Sequence, residues 1–291
     1  MKSNKKAFFF SSFLMLTCCI YPLSAEGSPK IYDCSPFFNE LEVLEIKLNE
    51  LYDHVDNFVI CECAETFTGK PKPLYFDLNK QKFSQFLDKI IHVIVTEHIE
   101  TNDPWVREAF QKNQVMRGLT NCHDEDIIII GDLDEIVSGA KLPEVIDYLI
   151  RNRLRFVTCG QTMYSYYLNR QGHIGYENDL WLGSVVTRYA DVKSVSPYTV
   201  RNSYRSRENL IPAGWHFTWM GGVDRVRSKL DSFSHSELNT EEFRSLARIQ
   251  HHSDVLPLVE IDASYPQFIR DNIPYFTEIG FIDLSGAQGP L

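Results

Sequence analysis

The sequence predicts an α/β fold, a mostly parallel central sheet flanked by helices, and three observations carry that reading. Apolar runs that do not alternate with polar residues, at 58–61, Ile90–Val95 and Ile127–Ile130, read as strands covered on both faces. Between them, apolar residues recur at three- and four-residue steps, the period of amphipathic helices. The two patterns take turns along the chain, as a sheet with helices on both sides requires.

Taken in order, Leu41, Leu44, Leu48, Leu51 and Val55 predict a helix across residues 39–55. A buried strand follows at 58–61 and ends at Glu62. The run Thr68-Gly69-Lys70-Pro71-Lys72-Pro73 is a loop, because Gly and Pro break regular structure. Next come a strand at Ile90–Val95, a helix across 105–119, an unbroken β-branched strand bounded by acids at 126–130, a helix at 143–150 and a strand at 155–158. Beyond about residue 160 the chain turns rich in Tyr, Trp, Gly and Arg and loses its regular period, as an elaborated substrate-binding part does. No internal repeat or linker interrupts residues 26–291, which read as a single domain.

Residues 1–25 are a separate object. Lys2, Lys5 and Lys6 precede the apolar run Ala7 to Ile20 and the small pair Ser24-Ala25, the layout of a secretory signal cleaved after Ala25. Fourteen apolar residues fall short of the roughly 20 that span a bilayer; extended through Leu23, the run can instead serve as a short anchor. The whole chain has a net charge of −10, and without the three leader lysines 26 basic residues face 39 acidic ones. Such a surface excludes nucleic acid as a partner. It admits a phosphate-bearing ligand if a divalent ion bridges acid to phosphate. Beyond the leader, Cys34, Cys61, Cys63, Cys122 and Cys159 are odd in number and lack zinc spacing, so buried thiols with at most one bridge are expected.

The chemistry concentrates at Gly131-Asp132-Leu133-Asp134-Glu135, just past the carboxyl end of the isoleucine strand, where open parallel sheets bind ligands. Two carboxylates one residue apart can share a hard ion such as Mg²⁺ or Mn²⁺; alternatively they cap a turn. Two reactions use this pattern. A metal can neutralise the diphosphate of a departing sugar nucleotide, or, as in haloacid-dehalogenase-like phosphatases, Asp132 can attack phosphorus itself. A secreted carbohydrate-binding protein without catalysis is a third reading. On the helix leading into the strand, Arg107, Asn113 and Arg117 are candidates for gripping a diphosphate, Asn113 and Arg117 sharing a face.

The sequence also resembles glycosyltransferase family 17, whose members include the bisecting β-1,4-N-acetylglucosaminyltransferases of N-glycans. The resemblance runs from about Lys30 to His235. It is carried by Ile31-Tyr32-Asp33 and Phe37-Phe38-Asn39-Glu40-Leu41-Glu42, by Phe58-Val59-Ile60-Cys61-Glu62 with Thr66-Phe67-Thr68-Gly69, and by Trp105-Val106-Arg107-Glu108. The run from Asp126 to Ile136 and Ala213-Gly214-Trp215-His216-Phe217-Thr218-Trp219 complete it. After Trp219 this chain has Met220-Gly221-Gly222 where those enzymes carry a cysteine-containing stretch.

The resemblance implies a GT-A-type fold, with a nucleotide and metal half at about 30–160 and an acceptor half at 161–291. It also implies a UDP-sugar donor, UDP-N-acetylglucosamine above all, a glycan or glycoprotein acceptor, Mn²⁺ or Mg²⁺ at Asp132 and Asp134, and inversion at the anomeric carbon. By the same implication Glu62 sits where nucleobase and ribose bind, and His216, in the aromatic run 215–219 that reads as a short buried strand, joins the metal ligands. The general base is sought in the aromatic loop before Trp181, at Asp179 or Glu177, with Glu135 and Asp224 as further carboxylates. Trp181 and Tyr167 are the aromatics expected to stack on acceptor sugar, with Tyr164 and Tyr166 nearby. The leader then implies export: to the secretory lumen or Golgi membrane in a eukaryote, and to the periplasm, the exterior or a membrane anchor in a bacterium.

Overall fold

A computed structural model describes residues 28–172 and 180–285. The leader expectation, and the candidates Glu177 and Asp179, lie outside the described residues. Among those described, no helix is long and apolar enough to cross a membrane.

Eight strands form one sheet in the order β3-β2-β1-β4-β7-β6-β8-β5. The first four, β1 (Ile31–Phe37), β2 (Asn57–Cys63), β3 (Ile90–Val95) and β4 (Ile127–Ile130), run parallel. Next to β4, β7 (Leu180–Arg188) is antiparallel to it and to β6 (Phe156–Ser165); β8 (Leu210–Thr218) runs parallel to β6, and β5 (Glu135–Val137) pairs antiparallel with β8 at the edge. The mostly parallel sheet of the sequence reading is thus a parallel half joined to a mixed half, and the expected division near residue 160 falls inside β6.

Helices cover both faces. On one, Leu44, Leu48 and Leu51 of α1 (Leu41–Leu51) and Val145 and Leu149 of α4 (Leu142–Arg151) pack on Ile127 and Ile129. On the other, Val192 of α5 (Tyr189–Val195), Val200 of α6 (Pro197–Ser203) and Val115 pack on Ile128 and Ile130. All four isoleucines are buried, each contributing about 2 kcal/mol of transfer free energy. Two-sided coverage is why β4 shows no alternation.

Helix ends follow local chemistry. α3 (Pro104–Asn113) begins where the Asp103 carboxylate accepts the Trp105 N–H at 2.9 Å, with Pro104 in the first turn. The helix expected to reach residue 119 tightens at 114–118 into a 3₁₀ turn. There Gly118 lies so close to β2 that an added Cβ would sit 2.5 Å from a Val59 methyl. α2 (Tyr75–Asn79) follows the 68–73 loop.

Three strands escaped the sequence reading. β1 hides because Asp33 and Ser35, both buried, turn a polar pair toward α1, where the equally buried Lys47 Nζ lies 3.1 Å from Asp33 and donates to Ser35 Oγ at 2.7 Å. β5 is three residues long, and β7 interrupts its apolar residues with Gly183, Ser184 and Thr187, so it shows neither an unbroken run nor a strict alternation.

All five cysteines described are free thiols, so no bridge forms among them. Cys34, Cys61 and Cys63 share one buried cluster. Burial pushes Cys159 up to about 12, and burial with nearby Asp126 pushes the half-buried Cys122 up to about 11. A chain beginning at Ser28 should therefore react with a disulfide reagent at pH 8 slowly, at Cys122 alone. All five should react in denaturant; fast native reaction at a second thiol would contradict this burial.

Candidate functional site

β4 delivers Gly131-Asp132-Leu133-Asp134 to the carboxyl edge of the sheet, and β5 turns away at once. Gly131 makes the turn possible: a Cβ there would lie 2.1 Å from Ser184 Oγ and 3.2 Å from Glu135 Oε2. Glu135, 1% exposed, is the hub beneath the motif. Its Oε2 accepts the Asp132 N–H at 3.1 Å, and its Oε1 accepts Trp181 Nε1 at 2.8 Å and the Arg201 guanidinium. A carboxylate so enclosed cannot reach an acceptor hydroxyl. The catalytic expectation for Glu135 is corrected to one of holding the turn, Arg201 and Trp181 in place.

The two aspartates divide the surrounding cations. Lys112 Nζ lies 2.7 Å from Asp132 Oδ1 and Arg201 Nη2 lies 3.2 Å from Oδ2. Lys229 of α7 (Gly222–Ser232) is 2.9 Å from Asp134 Oδ2, and His216 Nε2 is 3.5 Å from Oδ1. β8 brings His216 there by register. It stands opposite Glu135, and the next N–H, of Phe217, donates to the Asp134 carbonyl at 2.9 Å. Burial alone would raise both carboxyls; Lys112 and Arg201 at Asp132, and Lys229 and His216 at Asp134, outweigh it and hold both well below the usual carboxylate range. The carboxylates in turn overcome the desolvation of Lys112, Arg201 and Lys229 and raise all three, so the site carries fixed charges of both signs. His216 Nδ1, Arg201 Nε and Arg201 Nη1 are buried with no partner, unspent donor or acceptor capacity beside the acidic pair.

Trp181 also belongs here, its ring 4.8 Å from that of His216, with the Arg205 guanidinium 5.5 Å from the indole. Of the residues singled out in the sequence, the structure brings Asp132, Asp134, His216, Trp181 and Glu135 together.

Other candidates are placed elsewhere, with physical reasons. Glu62, fully buried, lies inside β2 rather than at its end. Its oxygens accept the Phe76 N–H at 2.9 Å and the Asp77 N–H at 3.3 Å and face His92 and Lys72, so it caps α2 and is closed to a ribose. Arg107 is buried and donates to the Phe67 and Thr101 carbonyls at 2.7 and 2.6 Å, clamping the 65–70 loop; Gly69 leaves room for its guanidinium. Asn113 Oδ1 accepts the Tyr198 N–H at 2.9 Å, tying α3 to the helix that carries Arg201. Arg117 pairs with Glu97 at the surface. Tyr167 is half-buried near Asp283 and Asp254, Tyr164 stacks on Phe217 in the core, and Asp224 is exposed on α7. Lys112, Arg201 and Lys229 were missed, since an isolated cation on a short helix carries no sign of a partner some 20 to 95 residues away.

The sequence model of glycosyltransferase family 17 matches residues 14–257. The chain belongs to that family. Three curated relatives are β-1,4-mannosyl-glycoprotein 4-β-N-acetylglucosaminyltransferases. Those of Homo sapiens and Rattus norvegicus are 31% identical over 107 residues and that of Mus musculus 30%, each match covering 34% of this chain. The chain spans a fifth of the length of these relatives. Among solved structures it is similar to the mannosyltransferase PcManGT from Pyrobaculum calidifontis in complex with GDP-Man and Mn²⁺, at 11% identity and TM-score 0.42 over 90% of this chain and 76% of that one. It is also similar to S. aureus TarS 1-349, at 11% and 0.37 over 87% and 80%.

No three His, Cys, Asp or Glu side chains gather around one point among the described residues of this family 17 chain. Mg²⁺ and Mn²⁺ do not need three: one or two carboxylates suffice when waters and substrate phosphates complete the shell. Asp134 and His216, 3.5 Å apart, with Asp132 beyond and the His216 Nδ1 unspent, are donors of the right chemistry.

Proposed function

We propose that this chain is a metal-dependent, inverting transferase that moves N-acetylglucosamine, or a related hexose, from a UDP-sugar to a glycan hydroxyl. The observation that carries the reading is the acidic pair at the carboxyl end of β4 with Lys112, Arg201 and Lys229 all bonded to it. Asp132, Asp134 and His216 would hold Mn²⁺ or Mg²⁺, which supplies charge neutralisation to a departing diphosphate.

The chain's own residues do the rest. The three cations can exchange their carboxylate partners for phosphate oxygens, and being largely buried they act through a low local dielectric as the leaving group gains charge. Glu135 and Arg201 keep the Asp132 turn from relaxing. Trp181, anchored through its Nε1, offers a face for the sugar beside His216. The acceptor proton is assigned, on sequence alone, to Asp179 or its neighbour Glu177. The leader is read as exporting the chain to a compartment that holds its donor, with attachment to a membrane if it is retained.

Calorimetric titration of the chain from Ser28 with UDP-N-acetylglucosamine, with and without Mn²⁺, tests the reading. Binding should require the metal, and Lys112→Ala should weaken it by about tenfold or more, the loss of one charge-assisted contact. Absence of binding to this and every other UDP-sugar at millimolar concentration would sink it.

A further inference from the structure

A second cavity, of about 180 Å³, lies beyond the carboxyl end of β8, between α7 and the paired helices α8 (Glu241–Arg244) and α9 (Leu246–Asp254). At about 30 Å³ per water, it has room for on the order of six waters, comparable to one pyranose ring. Its floor is aliphatic, with Val226 and Leu230 of α7 against Ile249 of α9. Its walls are aromatic: Tyr166, Trp219 and Phe243. Such a lining suits the C–H faces of a sugar better than its hydroxyl edge.

Two features set this cavity apart from a packing defect. Arg248 lines it with no carboxylate partner among the described residues; its guanidinium lies 5.3 Å from the Phe243 ring and its buried Nε has no hydrogen-bond partner. Among the described residues no Asp or Glu lines the cavity, and His252, held below its ordinary pKa by burial and Arg248, adds a neutral ring. Tyr166 and Trp219 also both adopt left-handed backbone, at φ 70° and 61°, which bulky side chains rarely do. The Tyr166 N–H bonds to the Thr218 carbonyl at 3.1 Å, so the fold enforces both conformations, and together they present two rings to one space.

The cavity is next door to the acidic pair. Trp219 forms part of its wall and also lines the small cleft that holds Asp134 and Lys229, whose Nζ lies 5.2 Å from the indole.

We propose that this cavity binds a carboxylate-bearing sugar residue of the acceptor glycan, its ring against Trp219 and Tyr166 and its carboxylate on Arg248, while a neighbouring residue of the same glycan presents its hydroxyl at the acidic pair. This rests on the reading of the chain as a transferase to glycans. Chemistry decides the class: an unpaired guanidinium in an aromatic pocket without acid selects an anion with an apolar face.

The test compares methyl glucuronide with methyl glucoside, which differ at one position in carboxylate against hydroxymethyl, by titration into the chain from Ser28 with saturation-transfer NMR. The glucuronide should bind at least about tenfold more tightly, the ratio expected for one charge-assisted contact. Arg248→Gln should erase the difference, and Ile249→Phe, which fills the cavity while keeping Arg248, should weaken both ligands. UDP-sugar binding, measured on the same samples, should be unchanged in both variants, which also verifies their folding. Equal binding of the two glycosides, no binding of either, or a preference that survives Arg248→Gln would each overturn the proposal. Loss of UDP-sugar binding in the unsubstituted chain, with the glucuronide preference intact, would instead strike the transferase reading alone.

Discussion

Asp134→Asn should lower kcat/KM for sugar transfer by at least about 10²-fold, equivalent to roughly 2.7 kcal/mol of transition-state stabilisation, with a much smaller effect on the fold. The carboxylate meets Lys229 through one oxygen and His216 through the other, and an amide of the same shape removes its charge without opening a void. Lys229 is 27% exposed at its side chain and can turn to water, which limits the loss of stability. The measurement is release of the nucleoside diphosphate in the presence of acceptor, alongside thermal unfolding. An Asn variant within tenfold of the parent would mean that Asp134 holds Lys229 and nothing else. Raised metal concentration should recover part of the activity, because the variant weakens an ion site whose other donors, Asp132 and His216, are intact.

Arg201→Leu should be the most destabilising single change in the site, by about 3–5 kcal/mol, the range for stripping one partner from a buried ion pair. Arg201 is 3% exposed and Glu135 1%, and the guanidinium binds both Glu135 and Asp132. Without it the Glu135 carboxylate keeps, among the described residues, the Asp132 N–H and the Trp181 indole. The further change Glu135→Leu in the same chain should restore a good part of the loss, because removing both charges removes the desolvation burden that one charge alone carries. Urea unfolding of the two singles and the double closes the cycle. A loss under about 1 kcal/mol in Arg201→Leu, or strictly additive losses in the double, would show that the pair is solvated in solution.

The sheet half of the molecule was readable because its strands are apolar on both faces. Ile127–Ile130 has no other reading, and once it is a central strand Asp132 and Asp134 fall at its ligand-binding edge. His216 was readable for a related reason, sitting between Trp215 and Phe217 in a run too apolar to be a loop. Glu62 misled through a single residue of register. Ending β2 at Glu62 puts the carboxylate at the open edge, whereas the strand runs on to Cys63 and pairs Glu62 with Phe37 inside the sheet. Arg107 misled because a guanidinium bonded to backbone carbonyls looks, in sequence, like one free to meet phosphate. The cations Lys112, Arg201 and Lys229 were silent because their partners lie far along the chain and charge on a helix normally faces water. Charge balance across the sheet edge is a tertiary property, and no local period encodes it.

The place of β5 at the rim of the sheet bears on synthesis. Its three residues follow the acidic pair directly, yet their strand partner is β8, which starts 73 residues later and must itself settle beside β6. As the chain leaves the ribosome, Asp132 and Asp134 therefore emerge long before His216 or Lys229. The first half of the sheet can close while the acidic turn hangs from it without its backbone anchor. Lys112 and Arg201, the partners of Asp132, emerge earlier, but Lys229, the cation that meets Asp134, arrives only once α7 has appeared. A fragment ending before residue 210, however well its parallel strands pair, carries Lys112 and Arg201 for Asp132 but neither His216 nor Lys229 for Asp134, and so holds half of the charge balance of the site.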